Sequence, residues 1–191
     1  MDIDDFWRLI ERSARESVDR PGREQWLIGA LGALDRPDIE DFEIRLQELR
    51  DRIDDAHMWG AADVVIDGCS TDSFWYFQCW LVGQGRELFE RVAADPDDLA
   101  TVPDLQHLAT RPYGTWTDEE WPEWESLAYV ADQAYEAITG DEDALHEALT
   151  ARGARIRSDP LKPDWSRPRR YPRLEALFPH RRRGTGVNPS P

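Results

Sequence analysis

The stretch Ile66-Asp67-Gly68-Cys69-Ser70-Thr71-Asp72-Ser73-Phe74-Trp75-Tyr76-Phe77-Gln78-Cys79-Trp80-Leu81 decides the fold. An acidic turn with one glycine runs straight into a segment of unusual ring density. Four of the eight residues at positions 74–81 are Phe or Trp, and Tyr76 is a fifth aromatic. Each large aromatic removes roughly 150–250 Å² from water on burial. Such a segment belongs in a core, and it is expected to be the centre of the molecule. Gly68 is expected to end the helix before it, as glycine commonly does. Thr71 or Ser70 then caps the aromatic helix, with Asp67 and Asp72 near its positive end.

Helical spacing continues on both sides. Ile3, Phe6, Trp7, Ile10 and Ala14 recur at three and four, which predicts an amphipathic helix over 3–17. A polar break with Pro21 precedes a second helix over 23–34. Pro37 stands in the first turn of a third, which keeps an apolar stripe to about residue 55. A fourth runs over 57–66. Beyond the aromatic helix, Gly83 and Gly85 mark a break. Asp95-Pro96-Asp97-Asp98 starts another helix, and residues 100–115 read as a loop. Thr117 and Glu120 have the spacing of a capping box, which predicts a helix over 117–139 that Gly140 stops. Asp141 caps a short helix to residue 152. Only residues 154–156 hint at a strand. The expected fold is all-α, a single compact multi-helix bundle with an extended Pro/Arg-rich C-terminal tail.

The net charge of −16 is unevenly distributed. Residues 1–149 carry 12 Arg against 36 Asp and Glu, and residues 150–191 carry 11 Arg and Lys against three acids. The expected organisation is an acidic helical domain over 1–153 and a basic tail over 154–191. Within the tail, Tyr171, Leu174, Leu177 and Phe178 predict an anchor helix near 171–178, and residues 184–191 read as disordered. The tail lies back on its own acidic body, hangs free, or touches nucleic acid. For the main body, charge repulsion makes nucleic acid an unsuitable partner. No apolar run reaches the length of a membrane span, and the acidic start Met1-Asp2-Ile3-Asp4-Asp5 lacks signal-peptide character. A cytoplasmic protein is therefore expected, with no membrane partner. Cys69 and Cys79 then read as two thiols rather than a disulfide.

Two places are candidates for chemistry. The first is the turn 67–72. Asp67, Cys69, Ser70 and Asp72 either cap helices or line a ligand pocket, in which clustered carboxylates raise one another's pKa. The second is the tryptophan-rich stretch, where Trp121 and Trp124 share a helix face among Asp118, Glu119, Glu120, Glu123 and Glu125. That face packs on the core, or it forms an acid-rimmed aromatic patch suited to a basic protein partner. The arginines of the tail are an internal alternative for that partner, through cation–π contact. His57, His107, His146 and His180 are scattered and lack zinc spacing. Gly83-Gln84-Gly85 lacks the third glycine of a phosphate loop. No metal and no cofactor is expected.

The motif Gly68-Cys69-Ser70-Thr71-Asp72-Ser73-Phe74, followed by Phe77, Trp80-Leu81 and Gly85-Arg86, resembles the bacterial family catalogued as domain of unknown function 4240. Phe6-Trp7-Arg8-Leu9-Ile10, the acidic stretch near residues 125–135 and Tyr171-Pro172-Arg173-Leu174 are similar to it as well. The chain departs from the family pattern at Asp67, Thr71 and Gln78, where the family often carries glycine, an acid and arginine. The resemblance implies a mainly helical cytosolic domain and brings no activity. Two functions are carried forward. One is a protein-interaction or inhibitory, immunity-like module that binds a basic partner. The other is an enzyme or small-ligand binder that uses the turn 67–72.

Overall fold

The computed structural model describes residues 1–157, 160 and 170–179. Among them are α1 (Ile3–Glu16), α2 (Arg20–Gly32), α3 (Arg36–Arg52), α4 (Ala56–Ile66), α5 (Thr71–Gly83), α6 (Arg86–Ala94), α7 (Pro103–Ala109), α8 (Val130–Thr139), α9 (Ala144–Ala151) and α10 (Pro172–Leu177). Short 3-10 turns occupy Pro96–Thr101, Tyr113–Thr115 and Glu125–Tyr129. No strand occurs among the described residues, residues 154–156 included. The protein is an all-α bundle.

Its centre is the aromatic helix. Phe74 and Phe77 are wholly buried and Trp80 is 2% exposed. Their rings form a file with Trp59 of α4: Trp59 to Phe74 is 4.5 Å, Phe74 to Phe77 is 6.3 Å, and Phe77 to Trp80 is 5.5 Å between centroids. The helices α1, α3, α4 and α6 pack around α5, and α8 packs on α2 and α3. Three of the ten described α-helices are capped by an aspartate side chain. Asp2, Asp19 and Asp55 each accept a first-turn N–H, which accounts for part of the acidic composition.

Three local expectations are corrected. Residues 100–115 are not a loop, because Pro103 opens α7 just as Pro37 opens α3, and Leu105 and Leu108 are buried. α2 begins at Arg20, with Pro21 inside its first turn rather than in a break before it. The helix expected from Thr117 does not form. The Glu120 carboxylate accepts the Thr117 N–H at 2.9 Å, so half of the capping box is present. Pro122 then supplies no N–H to continue a helix, and its ring displaces the preceding residue from helical geometry. The chain turns at residues 117–121 and becomes α-helical again only at Val130. Trp121 and Trp124 consequently share a loop and no helix face.

The C-terminal segment at 170–179 is packed against the body. Tyr171, Leu174 and Phe178 are buried, and Arg173 pairs with Asp95 at 2.6 Å, Asp97 at 3.1 Å and Asp98. The expectation of disorder over 184–191 lies outside the described residues. No helix among the described residues is long and apolar enough to cross a membrane.

Candidate functional site

Where α4 hands the chain to α5, Asp67 adopts the left-handed conformation at φ 60° and Gly68 follows at φ 106°. Aspartate tolerates that region better than most residues, and its N–H closes α4 on the Asp63 carbonyl at 2.9 Å. Asp63 Oδ1 accepts the Cys69 N–H at 2.9 Å, and the Cys69 carbonyl accepts Trp59 Nε1–H at 3.1 Å. Ser70, not Thr71, is the N-cap of α5 and accepts the Ser73 N–H at 3.1 Å. The N–H groups of Asp67 and Cys69, the Cys69 carbonyl and the Ser70 hydroxyl thus have structural partners. Burial pushes the Cys69 thiol well above its ordinary range, and the charges of Asp63 and Glu123 push it further. Asp72 is exposed in the first turn of α5.

The turn forms one edge of a cleft of about 690 Å³. Its opposite wall is the loop that follows α7, and its third side is the start of α2. Asp67, Trp121 and Trp124 line it, whereas Cys69, Ser70 and Asp72 do not. Among the described residues, six carboxylates face it, from Glu24, Asp67, Asp118, Glu119, Glu123 and Glu125, against the single guanidinium of Arg20. The aromatic part consists of Tyr76, Tyr113, Trp121 and Trp124.

Helix α2 holds this loop in place. Arg20 donates from Nη1 to the Glu123 carbonyl at 2.6 Å and from Nη2 to the Trp121 carbonyl. One turn on, Glu24 accepts Trp124 Nε1–H at 2.6 Å and the Ser126 hydroxyl. Arg23 lies 4.5 Å from the Trp124 ring and donates to the Gly83 carbonyl at 2.8 Å. Burial and the neighbouring Arg20 charge lower the Arg23 guanidinium to about 10. On the far side of the loop, the Trp124 N–H donates to the Tyr76 carbonyl at 2.9 Å, and its ring fills the space over Gly83. Trp124 is thus a buried anchor at 3% exposure, and Trp121 is the half-buried ring at the surface. The Trp124 ring has its cation from Arg23 of α2, and Arg167, Arg169, Arg181, Arg182 and Arg183 of the tail lie outside the described residues.

The carboxylates have unequal environments. Burial pushes Glu123 above the ordinary carboxylate range and the Glu125 charge adds to that, while the Ser73 hydroxyl and Arg20 pull it back. Glu125 accepts the Tyr76 hydroxyl at 2.7 Å, and that bond, with burial, pushes the Tyr76 phenol up to about 12. Half-buried carboxylates beside ring faces form a receptor for a positive charge. Neither histidine nor cysteine lines the cleft among the described residues.

A family model described as "Protein of unknown function (DUF4240)" matches residues 1–137. The chain belongs to that family. The matched part contains every residue that lines the cleft and leaves out the C-terminal segment. No match was found among curated proteins or among solved structures.

The sequence pointed to Asp67, Trp121, Trp124 and the acids around them. It missed Arg20, Glu24, Tyr76 and Tyr113. Arg20 and Glu24 stand four apart on one face of α2, a spacing that marks a pair without saying what it faces. Tyr76 was absorbed into the core-forming run, although its hydroxyl distinguishes it from the phenylalanines beside it.

Proposed function

We propose that the protein is an interaction module whose cleft receives a cationic side chain or short basic segment of a partner protein. The observation that carries this reading is the imbalance of the cleft. Among the described residues, six carboxylates and aromatic ring faces look onto it, and the one cation beside them, Arg20, donates to the carbonyls of Trp121 and Glu123. The net charge of −16 supports an inhibitory form, in which the acidic body is steered to a cationic surface and masks it. A ligand site on the turn 67–72 has less support, because Ser70 serves as a helix cap and the Cys69 thiol is held protonated.

A tetra-arginine peptide titrated calorimetrically into the full chain at low ionic strength tests the proposal. Binding should weaken with added salt and be absent for tetra-glutamate. Trp121→Ala with Glu123→Gln should abolish it. A cation favours ionised Glu123, so affinity should rise as pH rises through that group's elevated value, with a proton released on binding. Ser70→Ala should cost about 1 kcal/mol of stability through the lost cap and leave the affinity alone. Absence of binding, or equal binding by the double variant, rules the cleft out as the receptor.

A further inference from the structure

We infer that residues 171–179 are a latch that holds the aromatic wall of the cleft in its cation-binding arrangement, so that docking of this segment regulates the site. The inference rests on the cleft reading above. Tyr113 and Trp121 form the wall, with ring centroids 4.7 Å apart and edge to face. Behind them Trp116 lies 4.8 Å from Tyr113 and 5.4 Å from Trp121. Phe178 stands edge-on to Trp116 at 6.4 Å and is 6% exposed. Residues 171–179 therefore reach the cleft through a continuous chain of ring contacts. Tyr113 is fixed at its other end by its hydroxyl, which donates to the carbonyl of Ile66, the residue before Asp67.

The attachment of the segment has the character of a latch. α10 has six residues, too few to be helical without tertiary support. It is held at one end by Tyr171, whose hydroxyl donates to the His57 carbonyl at 2.7 Å and whose ring lies over Gly60. A Cβ at Gly60 would come within 2.4 Å of the Tyr171 oxygen, so the glycine makes the seat. In the middle, Asp97 accepts the N–H groups of Arg173 at 3.1 Å and Leu174 at 3.0 Å. The Arg173 guanidinium spans Asp95, Asp97 and Asp98 while 46% exposed. Surface ion pairs of this kind contribute little individually and are screened by salt. These exposed pairs supplement the burial of Tyr171, Leu174 and Phe178, and what the docked segment braces is a wall of large rings.

The test compares the full-length wild type with Phe178→Ala and Arg173→Gln by two measurements. The first is tetra-arginine affinity. The second is amide hydrogen exchange at residues 113–121 without ligand. Both variants should keep the wild-type helical signal, bind the peptide about five- to tenfold more weakly, the lower range of coupling between sites, and exchange faster at 113–121. Wild-type affinity in both variants overturns the latch, whether or not exchange changes. If the wild type itself does not bind the peptide, the cleft reading fails. The latch then depends on exchange alone: faster exchange at 113–121 in both variants supports it, and unchanged protection overturns it. Arg173→Gln carries the comparison if Phe178→Ala does not fold, because its side chain is on the surface.

Discussion

Consecutive residues of α5 serve two opposite settings for charge. Trp75 faces α3, where the Arg50 guanidinium lies 3.1 Å from its ring centroid and is itself 2% exposed. Glu43, two turns earlier on the same face of α3, is 5% exposed, and Gln78 follows Trp75 one turn along α5 at 1%. Tyr76 faces the cleft, where rings and carboxylates look onto open volume. Inside, the ring already has its cation, supplied by the chain. In the cleft the rings at the surface have carboxylates beside them. The interior polar group is closed at a cost: Arg50 Nε and Nη2, Glu43 Oε2 and Gln78 Nε2 have no hydrogen-bond partner. Buried unpaired groups of that kind typically cost about 1–3 kcal/mol each. Charge tucked inside is thus a burden on stability, and charge at the cleft stays in contact with solvent.

The largest effect should come from the interior. Burial lifts the Glu43 carboxyl to about 8, with the Asp132 charge pushing it further and Arg50 opposing. An acid raised this far is protonated in the native state while the unfolded chain has already ionised. Stability from this group is therefore full below the ordinary glutamate range and declines as pH rises toward 8. The loss is on the order of 3–5 kcal/mol. Glu43→Gln should match the wild type near pH 4.5 and exceed it near pH 9 in chemical denaturation, by roughly that amount. Equal pH dependence in the two proteins would mean that Glu43 is ionised against Arg50, and the contrast with the cleft would disappear.

A smaller effect joins the two regions. Gly83 closes α5, and a Cβ there would come within 2.5 Å of the Trp124 ring. Gly83→Ala gains helix propensity but forces the ring off its seat, with a net loss of about 1–2 kcal/mol. Because Trp124 carries the bond to Glu24, the displacement should also weaken peptide binding. A stable variant with unchanged affinity would show that the cleft does not depend on this anchor.

These residues also show how far the sequence could be read. The ring density after Gly68 was sufficient to place α5 at the centre, because burial of that much aromatic area has few alternatives. Pro37 in α3 and Ser70 before α5 were readable as helix starts, since capping is local, whereas the caps at Asp2, Asp19 and Asp55 and the start at Pro103 were not read. The Trp121 loop was misread because the Thr117–Glu120 spacing was weighed and Pro122 was not. The cleft itself was only half readable. Its acids and tryptophans are adjacent in the chain, but Arg20 and Glu24 join them across about a hundred positions, and no local pattern encodes that approach. Gln78 and Arg50 gave no signal at all, since a buried polar side chain looks like a surface one until its neighbours are known.

The smallest effect should come at the cleft's edge, and it separates a structural bond from a binding one. Tyr76→Phe removes the hydroxyl that donates to Glu125 and keeps the ring. Both partners lie at the surface or only half-buried, so water replaces the bond and stability should fall by less than about 1 kcal/mol. Spectrophotometric titration should lose the late phenol near 12, because the bond to Glu125 is what delays it. Glu125, no longer holding a neutral donor, turns both carboxylate oxygens to the cleft, and the tetra-arginine peptide should bind slightly more tightly. A weaker complex instead would assign the Tyr76 hydroxyl a contact with the ligand.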